Sequence, residues 1–454
     1  MKTMYRVVFL AAFVLTGTLF TSMFGISGVQ AQTSGPCDIY GAAGNPCVSA
    51  HSTTRALFAA YSGKLYQVQR ASDKAKKDIG TLSPGGYANA AAQDSFCAGT
   101  KCTTTVIYDQ SSQHNDLHIG GNGGLSKNVT VVGVNSAACS VWVAGGHKVY
   151  AIYTNPGQPG QGYRDTMATG TATGSQPEGI YMVASGTHVA GAGQCCFDYG
   201  NVSQPKADDL GAGTMDAISI GKDCWFKPCQ GSGPWVQDDM ESGMFNGANG
   251  SYLGNTGRPN TEFISAFVKN NGTTTYAIKD GDATKGGLVT QWDGSLPTQG
   301  GYIPAKKQGG IALGTGGDMS DWGQGTFFEG AMVTGYPSDA TENAVQANVV
   351  SVGYSITKTA TEATPYVEAP YGGTRSNLPG IVHLNTGSGS TLIFTNSLRE
   401  ILTVSLYSPN GRLLHVKTLG ARLDMDISSL EAGIYFVRVK GNSMGNLMMK
   451  FLKN

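Results

Sequence analysis

Apolar and polar residues alternate with period two in several short runs of this chain. That spacing presents one face of a strand to a core and the other to its surroundings. The pattern predicts strands over 103–109 (Thr-Thr-Thr-Val-Ile-Tyr-Asp), 148–153, 179–184, 263–268, 273–278 and 325–333. Their β-branched and aromatic content suits a pleated surface. A helical spacing is rare. It predicts one helix over 51–61 and another over 340–350, the second following the breaker Tyr336-Pro-Ser338. Many short strands with few helices point to an all-β fold, a concanavalin-like two-sheet β-sandwich of the jelly-roll kind. The segment Ile107-Tyr-Asp-Gln-Ser-Ser-Gln-His-Asn-Asp116 is similar to a turn found in such sandwiches.

The texture changes near Lys358. A Thr/Pro/Gly-rich stretch, 358–381, reads as a linker. Beyond it, runs at 401–407 and 412–417 flank the turn Ser408-Pro-Asn-Gly411 and read as a hairpin. Runs at 430–439 and 447–452 complete a small β-domain over 382–454. At the other end, Lys2 and Arg6 precede an apolar run from Val7 to Phe20 and a small-residue site, Val29-Gln-Ala31. This is the pattern of a signal peptide over 1–31, too short for a stable membrane span. The main domain is then 32–357, in an exported protein, secreted or held at the cell surface. Glycine is about twice its usual share of roughly 7%, at 65 of 454 residues, as turns between many strands require.

Charge removes some functions. Lys plus Arg and Asp plus Glu both number 31, so no nucleic acid or anionic lipid is implied as a partner. The basic run Lys74-Ala-Lys-Lys77 reads as a solvated helix or loop face. Nine cysteines in an oxidising compartment imply disulfides and an odd thiol. Cys37 and Cys47, Cys97 and Cys102, and Cys224 and Cys229 each bracket turn residues and could close local loops. Cys139 lies in an apolar setting suited to a free buried thiol. Cys195 and Cys196 are adjacent. Two readings are open for them: a distant partner for each, or a bond to one another. The second closes no loop worth stabilising, so it would offer a rigid sulfur surface for a ligand.

No metalloprotease motif, phosphate loop, dinucleotide fingerprint or nucleophile elbow occurs, and no metal or cofactor is expected. His51 reads as a satisfied structural residue. The loop Gly314-Thr-Gly-Gly-Asp-Met-Ser-Asp321 lacks calcium-loop spacing. What remains is carboxylates. Asp239 and Glu241, two apart, would share one face of a strand. Asp318 sits in a glycine-dense turn open to close approach. Paired carboxyls suit glycoside hydrolysis, and a solvated acidic face is the other reading.

From about Gly35 to Tyr354 the chain resembles the catalytic domain of glycoside hydrolase family 54, the α-L-arabinofuranosidases. The likeness rests on Gly35-Pro-Cys-Asp-Ile-Tyr40, His51-Ser-Thr-Thr-Arg-Ala-Leu57, Ile107-Tyr-Asp-Gln-Ser111 and Gly162-Tyr-Arg164. Further matches are Cys195-Cys-Phe-Asp-Tyr-Gly-Asn201, Asp239-Met-Glu241, Gly316-Gly-Asp318 and Gly325-Thr-Phe-Phe-Glu-Gly330. The resemblance implies a retaining exo-enzyme that removes terminal arabinofuranose from arabinan or arabinoxylan. It implies Glu241 as nucleophile and Asp318 as general acid/base. It also implies a vicinal disulfide Cys195–Cys196 packed on the sugar, and hydroxyl-binding by Asp239 and the Gly317 backbone. Structural bridges Cys37–Cys47 and Cys97–Cys102 follow from it, with Cys224–Cys229 beside them. Trp225 or Phe226 would be the aromatic platform. Where the family commonly has two asparagines after the nucleophile, this chain has Ser242 and Gly243. The family's arabinose-binding trefoil module is not visible. The tail, through Asp426-Ile-Ser-Ser-Leu-Glu-Ala-Gly-Ile-Tyr-Phe-Val-Arg-Val439, resembles C-terminal sorting domains of the type IX secretion system, which implies the export machinery as a partner. The competing readings are a non-catalytic lectin on the same sandwich, a structural surface protein, and a sugar-binding tail.

Overall fold

The strand Glu178–Ser185 is buried at every one of its eight positions, so it must be covered on both faces. A computed structural model shows what covers it. It describes residues 34–357 except 121–130, 156–159, 193, 205–208, 226–228, 249–254 and 319–322. In the tail it describes 366–368, 376–377, 382–386, 391–396, 401–408, 413–420, 422–431, 433–441 and 445–453. The expected signal peptide and most of the expected linker lie outside the described residues.

Glu178–Ser185 is central in a seven-stranded antiparallel sheet. In order across it run Cys47–Ser52, Gly325–Thr334, Glu178–Ser185, Phe263–Asn270, Thr275–Asp282 and Lys285–Ser295, with Ile152–Thr154 beside the start of Gly325–Thr334. Alternate side chains leave this sheet in opposite directions. Ile180, Met182, Ala184, Ile264, Ala266 and Val268 point into one core. Tyr181, Val183, Phe263 and Phe267 point into another.

The first core is closed by a ten-stranded antiparallel sheet. Its order is Met244–Phe245, Trp235–Asp239, Asp216–Gly221, Asp198–Val202, Gly310–Leu313, Tyr163–Asp165, Leu117–Ile119, Cys102–Ile107, Lys64–Arg70 and Lys76–Gly80. Phe197, Tyr199, Ile218, Ile220, Val236 and Leu313 meet the first sheet there. The second core is covered by the helix Asp339–Ser351, which buries Val345 and Val349. Ser338 caps that helix, its Oγ accepting from Thr341 N at 3.2 Å. The expected helix at 340–350 is therefore present.

The expected helix at 51–61 is not. Residues Cys47–Ser52 form a fully buried strand. Ser52 Oγ then accepts from the amides of Thr54 and Arg55, both at 3.1 Å, and turns the chain. Short hydroxyl side chains offer the backbone this alternative to a helix. His51 is a satisfied core residue: Nδ1 lies 3.0 Å from Tyr199 OH and Nε2 is 2.8 Å from the Asn115 carbonyl. Two seven-residue helices, Pro36–Ala42 and Ala90–Phe96, are too short to declare a period in sequence. Lys76 and Lys77 begin an exposed edge strand rather than a helix.

Cys37–Cys47, Cys97–Cys102 and Cys224–Cys229 are bonded, with Cα separations of 5.6, 5.9 and 6.0 Å. Cys139 is free and half-buried. The tail has its own two sheets. One holds Leu402–Tyr407 between Leu413–Leu419 and Gly433–Gly441, and the other holds Val382–Thr386, Thr391–Asn396 and Arg422–Asp426. Leu392, Phe394, Val404, Leu406, Val437 and Val439 form a core separate from those of the main domain.

The second core holds one fully buried ion pair. Arg55 Nε and Nη2 donate to Glu329 Oε2 and Oε1, each at 2.6 Å. Tyr354 OH adds a bond to Oε2 at 2.8 Å. Removing one partner strands the other charge, a cost of about 3–5 kcal/mol. Glu329→Gln or Arg55→Met should lower stability by that order in urea unfolding. Arg55→Met with Glu329→Leu together should cost much less than either single change. Additive losses in the double variant would show that packing, not charge, dominates there.

Candidate active site

The strand Trp235–Asp239, paired on one side with Asp216–Gly221, turns tightly through Met240–Gly243 into Met244–Phe245, the turn closed by Met240 N donating to Gly243 O at 3.0 Å. Both central residues are left-handed: Glu241 has φ +62° and Ser242 φ +57°. Outside glycine this conformation is unfavourable by about 1–2 kcal/mol per residue. Surrounding bonds hold it. Asp239 Oδ1 accepts from Glu241 N at 3.0 Å. Tyr302 OH donates to Ser242 O at 3.0 Å and lies 3.3 Å from Glu241 O. The expectation that Asp239 and Glu241 share a strand face is thereby corrected. The strand ends at Asp239, and a positive-φ turn, not period two, aims Glu241 into the pocket.

A second loop faces this turn. The strand Gly310–Leu313 pairs with Asp198–Val202 and runs on into Gly314–Asp318. Gly314 takes φ +78°, and its N–H donates to Asp198 O at 2.8 Å. Gly317 passes so close to the Glu241 turn that a Cβ there would lie 2.9 Å from Glu241 Oε2 and would overlap Met215 Sδ. A side chain at 317 would displace the ends of both neighbours from the pocket. The Gly317 carbonyl accepts from Arg164 Nη1 at 2.6 Å and from Ser203 Oγ at 3.1 Å. It is turned into the protein, which leaves only its N–H for a ligand.

Immediately before Asp198–Val202 lie Cys195 and Cys196, bonded to each other through a cis peptide. Cys196 Sγ is 3.6 Å from Asp239 Oδ2, a packing contact because a disulfide sulfur has no proton to give. These two sulfurs and Asp239 lie within 4.8 Å of one another. Metal binding there would need thiolates, and the disulfide removes them.

The loops enclose a cavity of about 400 Å³. Glu241, Asp318, Asp239, Ser242, Gly243, Gly317, Cys195, Cys196 and Trp225 all line it. Trp225 stands at the rim, 47% exposed. Phe226, the other platform candidate, lies outside the described residues. Sequence reasoning missed Asp209, Met215 and Met244, which also line the cavity, as does Gly316 of the motif Gly316-Gly-Asp318. It also assigned no role to Arg164, Ser203 or Tyr302 behind it. Their sequence signal is weak, because each reaches the site from a distant strand or loop.

The electrostatics are dominated by crowded carboxyls. Burial, then Asp239, Asp209 and Asp318, push the Glu241 carboxyl up to about 8. Burial and the neighbouring Asp239 raise Asp198 well above the carboxylate range. Asp239 is raised too, chiefly by burial, with the Glu241 amide pulling the other way. Glu241 Oε2 is buried without a hydrogen-bond partner among the described residues. Such a site can hold one mobile proton between two carboxyls and leave a bare oxygen aimed at a ligand.

A family profile described as "Alpha-L-arabinofuranosidase B, catalytic" matches residues 36–355. Another, "Secretion system C-terminal sorting domain", matches 388–454. A probable alpha-L-arabinofuranosidase B of Aspergillus terreus is 48% identical over 71% of this chain and 63% of its own length. An arabinofuranosidase/B-xylosidase of Trichoderma koningii is 47% identical over the same shares. The chain thus spans somewhat less than two thirds of these relatives. Among solved structures, an arabinofuranosidase complexed with arabinofuranosyl-alpha-1,2-xylobiose is 41% identical with TM-score 0.67, covering 80% of this chain and 74% of that one. A family 54 α-L-arabinofuranosidase soaked with a cyclic sulfate inhibitor is 38% identical with TM-score 0.65, covering 85% and 74%. With the profile spanning well over half its length and the fold matching those enzymes, this chain belongs to the alpha-L-arabinofuranosidase B catalytic family, glycoside hydrolase family 54.

Proposed function

We propose that the chain is an exported, exo-acting α-L-arabinofuranosidase that removes terminal arabinofuranose from arabinan or arabinoxylan with retention of configuration. One observation carries the reading. Two carboxyl-bearing loops meet over a cavity beside a vicinal disulfide, so close that a Cβ at Gly317 would press on Met215 and the Glu241 carboxyl. Glu241, ionised, attacks the anomeric carbon as Asp318 protonates the departing oxygen. The resulting glycosyl-enzyme is opened by water, from which Asp318 takes the proton back. Retention requires the two carboxyls about 5–5.5 Å apart. Asp239, Ser242, Gly243 and the Gly317 N–H bind sugar hydroxyls. Cys195–Cys196 and Trp225 supply flat surfaces for the ring and its neighbour.

The tail directs export to the exterior or cell surface and takes no part in chemistry. Residues 1–31 are removed as a signal peptide, and 358–381 tether the tail.

Three outcomes are expected. The chain should release 4-nitrophenol from 4-nitrophenyl α-L-arabinofuranoside, with a first product of unchanged anomeric configuration by NMR. Glu241→Gln should lose at least about 10³-fold in kcat. Asp318→Asn should lose most, about 10²–10⁴-fold, on poor leaving groups and regain rate with azide on good ones. Binding without turnover would leave the lectin reading in place.

The pH profile has a definite sign. Turnover needs a proton in the site to give to the leaving oxygen, and an ionised Glu241. Burial and the neighbouring carboxylates keep a proton on Glu241 up to about 8; passing it to Asp318 when the sugar binds arms both groups, so the site is competent only while that proton is present. With phenyl α-L-arabinofuranoside, kcat/KM should hold through neutral pH and fall tenfold per unit above about 8. An alkaline limb centred below pH 6 would contradict this account.

Truncation after Thr357 should leave both folding and aryl-arabinoside turnover intact, because the tail has its own core. Loss of either, measured by circular dichroism and initial rates, would place the tail within the catalytic unit.

A further inference from the structure

Arg164 is an unusual residue to find behind two carboxyls in a sugar pocket. It lies on the strand Tyr163–Asp165, which pairs with Gly310–Leu313 in register Arg164↔Ala312. The side chain is 5% exposed. Its guanidinium spends two nitrogens on two segments. Nη1 donates to Gly317 O at 2.6 Å. Nη2 donates to Ser203 O at 2.6 Å and lies 2.8 Å from Ser203 Oγ. Ser203 Oγ in turn donates to Gly317 O at 3.1 Å. One carbonyl, next to Asp318 in the chain, therefore receives two donors from two different places. Nε is buried without a hydrogen-bond partner among the described residues.

This arrangement is costly if its only purpose is stability. Burial pushes the guanidinium down to about 10 even with the charges of Asp318 and Glu241 pulling it up. A buried cation is strongly unfavourable unless it is paired or used. Its hydrogen bonds go to neutral groups, the Gly317 and Ser203 carbonyls and the Ser203 hydroxyl, and its charge is opposed across the loop by the two carboxyls. Ser203 follows the strand Asp198–Val202, whose other end carries the vicinal disulfide. The same guanidinium thus pins the Gly314–Asp318 loop to the strand that carries the sulfur platform.

We propose that Arg164, with Ser203, is the positioning residue of the general acid: it fixes the Gly317 carbonyl and so holds Asp318 where it can protonate the leaving oxygen. This rests on the reading of Asp318 as the acid. A peptide plane fixed at its carbonyl fixes the direction in which the next residue departs, and misplacement by 1 Å can cost a hundredfold in rate. Arg164 does not touch the sugar. Its effect falls on the step in which the glycosidic C–O bond breaks, the bonding pair goes to the leaving oxygen and the proton passes from Asp318 to that oxygen.

Leaving-group dependence tests this. Arg164→Lys, Arg164→Met, Ser203→Ala and Asp318→Asn are compared on 2,4-dinitrophenyl and phenyl α-L-arabinofuranosides, with thermal midpoints measured alongside. The dinitrophenolate leaves without a proton and the phenolate does not. Arg164→Met should lose about 10²-fold on the phenyl substrate and under about fivefold on the dinitrophenyl one, within the range a general acid contributes. Arg164→Lys should fall between it and the parent, and Ser203→Ala should lose severalfold on the phenyl substrate alone. Should Arg164→Met not fold, the Lys and Ala variants carry the comparison. Equal losses on both substrates, or none, in the Arg164 and Ser203 variants would overturn the proposal while Asp318→Asn still discriminates. If Asp318→Asn itself fails to discriminate, the acid assignment fails and the proposal with it.

Discussion

The antiparallel pairing of Asp198–Val202 with Gly310–Leu313 is the constraint on which the pocket depends. One strand is entered from Cys195–Cys196 and the other leaves into Gly314–Asp318. Their register, Tyr199↔Leu313, brings the sulfur pair and the start of the Asp318 loop to one end of the paired strands. The neighbouring strands, Asp216–Gly221 and Trp235–Asp239, carry the Glu241 turn out at the other end, where Asp239 pairs with Ala217 beside Gly200. The Asp318 loop folds back over the sheet to meet it, its Gly317 carbonyl held by Ser203 beyond Val202. Shifting any of these pairings by one residue would reverse every side chain, exchanging core for pocket. The register is secured from below by Phe197, Tyr199, Ile218 and Leu313 in the inter-sheet core. Packing across the sandwich therefore sets distances in the pocket, although the residues that do the packing never reach it.

Much of the fold was legible because its signal is local. The strands at 179–184, 263–268 and 325–333 stand where period and β-branching put them. The helix 51–61 was misread because Ser52 Oγ satisfies the amides of Thr54 and Arg55 through a turn, which outweighs a helical spacing in the residues that follow. The site was legible only in part. Cys195, Cys196, Asp239, Glu241, Gly317 and Asp318 sit in recognisable short motifs while Asp209, Met215 and Met244 do not, and the geometry at Glu241 does not follow from spacing. Two consecutive non-glycine residues at positive φ carry no sequence signature beyond small or polar character at Ser242 and Gly243. Arg164 and Ser203 were opaque for another reason. Gly162-Tyr-Arg164 was legible as a motif, but the contacts to Gly317 span 153 and 114 residues, so nothing near Arg164 or Ser203 announces what they bind.

The crowding of carboxyls explains why strain and burial coincide here. Glu241, Asp239, Asp198 and Asp318 converge on one small volume. Left in water they would separate and ionise. Held together, at least one must keep a proton, since neighbouring like charges raise one another's pKa. The protein keeps them together with elements that do not titrate near neutrality: the Glu241 amide on Asp239, Tyr302 on the turn carbonyls, and Arg164 behind Gly317. Tyr302 is itself pushed up to about 12 by burial and the acidic neighbours, so its hydroxyl remains a donor.

Ser242 shows where this organisation has slack. It occupies φ +57° in the turn, a conformation that asparagine and glycine tolerate better. The turn does not collapse because its closing bond, Met240 N to Gly243 O, and the Tyr302 hydroxyl are both backbone-directed. They are indifferent to the side chain at position 242. The position can therefore vary chemically while Glu241 stays aimed. What varies is the donor presented to the cavity, one hydroxyl from Ser242 and only backbone from Gly243. The aim of Glu241 and the polarity of the lining are consequently set by different atoms of the same four residues. The family's asparagines can be absent from a pocket whose carboxyl geometry remains built.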